Sequence, residues 1–196
     1  MARQSATQHL GVLEAANLIS RHRAEETAMA DRPSYVYVTY IESTPERAWK
    51  ALTDPELTAQ YWGHSNISDW QAGSGWEHRR TDGSGIADVA GTLLESAPPL
   101  RLVLTFDAPG ATPPGGPSTV TFHIEPFHEI VRLAVTHQNL ADDSALEAVS
   151  AGWPAVCANL KSLLETGRVL PRAPWEMHAE LRAAQLARND PRPAGA

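Results

Sequence analysis

A chain of 196 residues with 42 % hydrophobic and 20 % charged residues has the composition of one globular domain with appendages, not of a disordered or fibrous protein. Its formal charge of −7 argues against broad attraction to nucleic acid or anionic membrane, and no apolar run reaches the roughly 18 to 20 residues that span a bilayer. The N-terminus lacks a secretory h-region, so a cytoplasmic location is expected, and the single cysteine, Cys157, excludes an internal disulfide framework.

Three regions separate by pattern: a helical stub at 1–32, a central region at 33–167, and a Pro- and Ala-rich tail at 168–196 with one short helix expected over Trp175 to Arg188. In the stub, Leu10, Leu13 and Leu18 give an amphipathic helix. Tyr35 to Glu42 (YVYVTYIE) is β-branched and aromatic between Pro33 and Ser43-Thr44-Pro45, which predicts a strand. Thr44 stands at an N-cap with Pro45 at the first helical position, so Pro45 to Thr53 reads as a short helix. Asp54-Pro55-Glu56 repeats the start signal for a second helix to about Trp62, which Gly63 stops.

Six strands then follow, at Ile67 to Gln71, Trp76 to Arg80, Gly85 to Glu95, Leu100 to Asp107, Thr119 to Glu125 and Ile130 to Gln138. The segments between them, among them Gly73-Ser74-Gly75, Asp82-Gly83-Ser84-Gly85 and the longer Pro109 to Pro117, carry turn chemistry, so the strands pair as an antiparallel meander. Residues two apart share a face of the pleat. Leu100, Leu102, Leu104 and Phe106, then Val120, Phe122 and Ile124, then Val131, Leu133 and Val135, form the inner sets, with a largely wet opposite face. Leu146, Val149, Trp153, Val156, Leu160, Leu163 and Leu164 recur at steps of three and four, a helical stripe that covers the inner face and ends at Gly167. Pro154 within it predicts a kink, or a break near Gly152 with a fresh start. The sum is an α+β arrangement in which sheet and helix grip one another.

Four motifs, TPERAWKALTDPE at Thr44 to Glu56, YWG at Tyr61 to Gly63, PPLRLVLTF at Pro98 to Phe106, and GWP with LKSLLETG within Gly152 to Gly167, carry a family resemblance. On them, Ser34 to Gly167 resembles the heat-shock-protein ATPase activator homologue branch of the SRPBCC (START-like) superfamily. The resemblance implies a helix-grip fold, a curved antiparallel sheet wrapped around a long C-terminal helix with two short helices after the first strand. It leaves the chemistry open, because this superfamily supports lipid carriers, cyclases, hydroxylase domains and co-chaperones on one scaffold. Arg3 to Arg23, with SATQHLGVLEA inside it, is similar to the recognition helix of ArsR-type winged helix-turn-helix regulators. That likeness implies Arg3, Gln4, Ser5, Thr7 and Gln8 as base-reading residues, with Arg21 and Arg23 for phosphate. The strands of a wing are missing, so DNA is not the expected partner; the alternative is a helix packed on the cup or on a second subunit.

No residue pair demands catalysis, and no catalytic residue or cofactor is assigned. The eight histidines are scattered, and His123 and His128, the closest strand pair, are separated by a turn at Pro126 and Phe127, so no metal site is expected. The GSG runs lack the strand, loop and helix order of a phosphate cradle. Cys157, inside an apolar stripe, reads as a packing thiol. The informative set is aromatic: Tyr61, Trp62, Trp76, Phe106 and Trp153 are expected to line a cavity, with His137, next in the inward series after Val135, giving a ligand its one directional hydrogen bond. Noncatalytic binding of a small hydrophobic or amphipathic ligand between sheet and helix, as in a sensor module, is the leading expectation. An ArsR-like regulator and a co-chaperone of a heat-shock-protein ATPase are the alternatives. The apolar stub and tail helices need a surface to bury against, which fits a homodimer.

Overall fold

The computed structural model describes residues 32–177; the implied DNA-reading residues Arg3, Gln4, Ser5, Thr7 and Gln8 lie outside them, as does most of the expected tail helix. β1 (Tyr35–Glu42) leads into α1 (Pro45–Thr53), where Thr44 Oγ1 accepts from the Arg47 amide at 3.3 Å. Asp54 Oδ1 accepts from the Glu56 and Leu57 amides at 2.9 and 3.2 Å and opens α2 (Pro55–Trp62), which closes on Gly63 at φ 76°. Then come β2 (His64–Ile67), β3 (Gly75–Arg80), β4 (Ala87–Ala97), β5 (Arg101–Thr105), β6 (Thr119–Phe127), β7 (Ile130–Gln138) and the long α3 (Asp143–Thr166). The strands form one antiparallel sheet in the order β1-β7-β6-β5-β4-β3-β2, a meander whose first strand pairs with its last. This is the helix-grip fold, with α3 and the two short helices on the inner face.

The inner sets meet the helix stripe as parity requires. Leu102 and Leu104 of β5, Val120, Phe122 and Ile124 of β6, and Val131, Leu133 and Val135 of β7 are buried in one core with Trp153, Val156, Leu160, Leu163 and Leu164 of α3. Each such aliphatic side chain contributes on the order of 1.5 to 3 kcal/mol of transfer free energy, which binds α3 to the sheet. Two positions depart from the pattern: Leu100 precedes β5 and is exposed, whereas Val103, on the opposite parity, is buried.

The strand expected at Ile67 to Gln71 ends at Ile67. Local side-chain bonds compete for the backbone beyond it: Trp70 N–H donates to Ser68 Oγ at 3.1 Å, Gln71 N–H to Asp69 Oδ1 at 3.0 Å, and Trp70 sits at φ 60°. Of the two outcomes expected at Pro154, a kink or a break near Gly152, the break is absent, since α3 runs unbroken through Pro154. Proline removes the N–H that would reach the Ser150 carbonyl, and Tyr35 Oη from β1 donates to that carbonyl instead, at a long 3.5 Å. The packed body continues past Gly167. Asn159, buried in α3, donates to the Tyr61 carbonyl at 2.8 Å and accepts from the Leu170 amide at 2.8 Å, and Trp175 packs on the core beside Gly63.

Candidate functional site

The C-terminal half of α3 is pressed onto the sheet, but its N-terminal half carries Ala145, Ala148 and Val149, and Leu146 and Val149 are only half-buried. Small side chains there fail to fill the space above the end of the sheet. The result is a cavity of about 270 Å³ with apolar walls from Val89, Phe106, Leu140, Ala145, Ala148 and Val149. Arg32, Asp107, Ser118, His137 and Asn139 supply its polar atoms. The loop between β5 and β6 forms one wall, and Asp107, Ala108, Pro113 and Gly116 of that loop also border a second concavity of about 460 Å³ against Ala90 to Thr92.

Of the residues expected to line a pocket, Phe106 and His137 border the cavity; Tyr61, Trp76 and Trp153 are buried in the core instead, and Trp62 is partly buried against it. Trp153 fills the centre of the grip, with ring centroids 5.4 Å from Trp62, 5.9 Å from Phe106 and 5.7 Å from Phe122. Trp76 spends its indole N–H on the Thr105 carbonyl at 2.8 Å. Tyr61 is fully buried, its hydroxyl has no hydrogen-bond partner among the described residues, and burial pushes its pKa up.

His137 has both ring nitrogens committed. An indole only donates, so Trp153 Nε1–H at 3.2 Å makes Nδ1 the acceptor, and Nε2–H donates to Ser118 Oγ at 3.0 Å. The Ser118 hydroxyl passes on to the Phe106 carbonyl, and the Ser118 amide donates to Asp107 Oδ2 at 2.9 Å. The tautomer is therefore fixed and neutral, and burial lowers the His137 pKa to about 4. As placed, His137 orders the cavity floor and has no nitrogen left for a ligand.

A second polar cluster escaped the sequence reading. Between His78 and Arg79 the β3–β4 register shifts, leaving Asp88 as the extra residue of a bulge. Asp88 accepts from His64 Nε2 at 2.9 Å and from Arg80 Nε at 2.9 Å and Nη2 at 2.6 Å. The Arg80 and then the His64 contacts hold its carboxyl well below the usual range. The His64 ring stacks on His78 at 4.2 Å, and His78 donates from Nδ1 to Asn66 Oδ1 at 2.6 Å. Burial, then the neighbouring His64, lowers the His78 pKa to about 3. Among the described residues no group of three or more His, Cys, Asp or Glu side chains is arranged to hold a metal ion. Cys157 is buried and its thiol is pushed up to about 12, the behaviour of a packing group. No helix among the described residues is long and apolar enough to cross a membrane.

Several solved structures share this architecture. A protein from Bordetella parapertussis, determined by solution NMR, is 28 % identical at a TM-score of 0.58, over 82 % of this chain and 87 % of that one. CalU16 from Micromonospora echinospora is 20 % identical at a TM-score of 0.58, over 77 % of this chain and 86 % of its own. The Aha1 dimer from Colwellia psychrerythraea is 19 % identical at a TM-score of 0.58, covering 69 % of this chain and 98 % of that one. At 19 and 20 % identity, the last two likenesses show the fold alone. No curated protein sequence matches the chain. The family model described as Activator of Hsp90 ATPase homolog 1-like protein matches residues 42–165, from the end of β1 to the last turn of α3, and the chain belongs to that family.

Proposed function

We propose that this protein binds a small apolar or amphipathic ligand in the cavity between the N-terminal half of α3 and the end of the sheet, without chemical conversion. The observation that carries the reading is the volume itself: about 270 Å³ left open under small helix residues, with mostly apolar walls and few polar atoms. That is just below the usual range of roughly 300 to 1,000 Å³ for ligand sites, which restricts the ligand to a small molecule. The site differs from the one expected around Trp62, Trp76 and Trp153: Trp62 and Trp153 pack on each other, and Trp76 packs on His78 and Phe106. Native mass spectrometry and ¹⁵N-resolved NMR against a panel of small apolar compounds test it. The expected result is saturable shifts at Phe106, His137 and Val149 that vanish in Val149→Trp, which fills the space. Binding unaffected by Val149→Trp, or no binding at all, overturns the reading.

Family membership supports a second reading, stimulation of a heat-shock-protein ATPase. It predicts a rise in the ATPase rate of purified Hsp90 on adding this chain, and an unchanged rate removes it. A homodimer is also proposed: Val36 and Tyr40 on the edge strand β1 are 58 and 56 % exposed, and the Colwellia psychrerythraea relative was solved as a dimer. Sedimentation showing only monomer would exclude this.

A further inference from the structure

The polar atoms around the cavity are almost all spent within the protein. Ser118 and His137 are committed to Phe106, Asp107 and Trp153 as described. Asn139 donates from Nδ2 to the carbonyls of Gly115, Gly116 and Pro117 at 3.1, 3.2 and 2.9 Å, and its Oδ1 accepts from Arg32 Nη1 at 3.4 Å. Arg32 also donates from Nη2 to the Pro114 carbonyl, and its guanidinium lies so close to Gly115 that a Cβ there would stand 2.9 Å from Nη2. The guanidinium thus straps the β5–β6 loop, with its Nη donors turned to carbonyl and amide oxygens. Asp107 is half-committed: Oδ2 accepts from Ser118 N–H, while Oδ1 has no hydrogen-bond partner among the described residues. No cation lies within ion-pair distance of Asp107 among them.

We infer that the ligand carries a hydrogen-bond donor, an ammonium or hydroxyl group, on a small apolar body, and that Asp107 Oδ1 receives it; a carboxylate ligand is disfavoured at this site. The inference rests on the cavity reading above and names the chemistry of its ligand. A carboxylate held in a partly apolar setting gains more from a donor than from water, and a charged donor gains most. Partial desolvation raises the Asp107 pKa, against the opposing pull of the Ser118 amide and the Arg32 charge. The Phe106 ring lines the same cavity and offers an aromatic face to an ammonium.

The test is an NMR titration of the full chain with benzylamine, benzyl alcohol, benzoate and toluene, a set that differs in one substituent. Benzylamine or benzyl alcohol is expected to bind at least about tenfold more tightly than benzoate, with shifts at Asp107 and Val149. Asp107→Asn separates the two donor classes: an ammonium site loses about tenfold for benzylamine and little for the alcohol, whereas a hydroxyl site changes by less than about threefold for both. Benzoate binding as well as the donors, or donors no tighter than toluene, overturns the donor inference and leaves the cavity reading standing. If none of the four binds, both fall. An unchanged fingerprint spectrum away from the loop establishes that Asp107→Asn remains folded.

Discussion

Two histidines, His78 and His137, are buried neutral, and this couples stability to pH. Their pKa values fall from 6.5 in the free side chain to about 3 and about 4 in the fold. The unfolded chain therefore binds more protons than the folded one between those values. The stabilisation is complete above about 6.5 and drains as pH falls through the window toward 4 and then 3. Across their windows these shifts correspond to about 5 kcal/mol for His78 and about 3 kcal/mol for His137. Urea denaturation at pH 7 and pH 4.5 is expected to show a marked loss at the lower pH, and a flat profile would contradict the burial argument. Parity alone already pointed His137 and Phe106 inward, and both do border the cavity. How the imidazole is spent was not legible, because Ser118 lies across the Pro- and Gly-rich loop and Trp153 on another element. The facing of Asp88 was equally hidden, since a bulge shifts the alternation by one residue.

At the scale of elements, the close approach of β4 to β5 rests on Gly91. A Cβ at this position would stand 2.0 Å from the Thr105 carbonyl oxygen, while the Thr105 hydroxyl accepts from the Thr92 amide at 2.8 Å. Gly91→Ala is expected to cost about 3 kcal/mol or more by chemical denaturation, and a neutral result would mean that the strands separate freely. In α3, Pro154→Ala restores a donor to the Ser150 carbonyl, for which Tyr35 Oη is a distant substitute. A gain of about 1 kcal/mol or more is expected in the same measurement, and a loss would show that proline serves the helix. The helices and the inner strand faces were readable because caps and periodicity are local. Thr44 and Asp54 cap where their hydroxyl and carboxylate chemistry demands. The end of β2 and the continuity through Pro154 were not readable. The first depended on the Ser68 and Asp69 turns, the second on a tyrosine more than a hundred positions away that substitutes for a missing hydrogen bond.

On the scale of the molecule, the grip is tight at one end and slack at the other. Trp153, Leu160, Leu163 and Leu164 press α3 onto the sheet, and Ala145, Ala148 and Val149 leave the opening. Enlarging Ala148 to Leu is expected to stabilise the free protein by about 1 kcal/mol while abolishing ligand binding, an opposition that calorimetry with and without ligand reads directly. The strand order carries a different consequence. β1 completes its ladder with β7, whose partner residues follow roughly ninety to a hundred positions later in the chain. A ribosome-bound chain thus presents the YVYVTY segment as an open, apolar edge until nearly the whole sheet has been synthesised. The vulnerable moment in this protein's life is its own translation, when a slow or stalled ribosome prolongs exposure of that segment to other nascent chains.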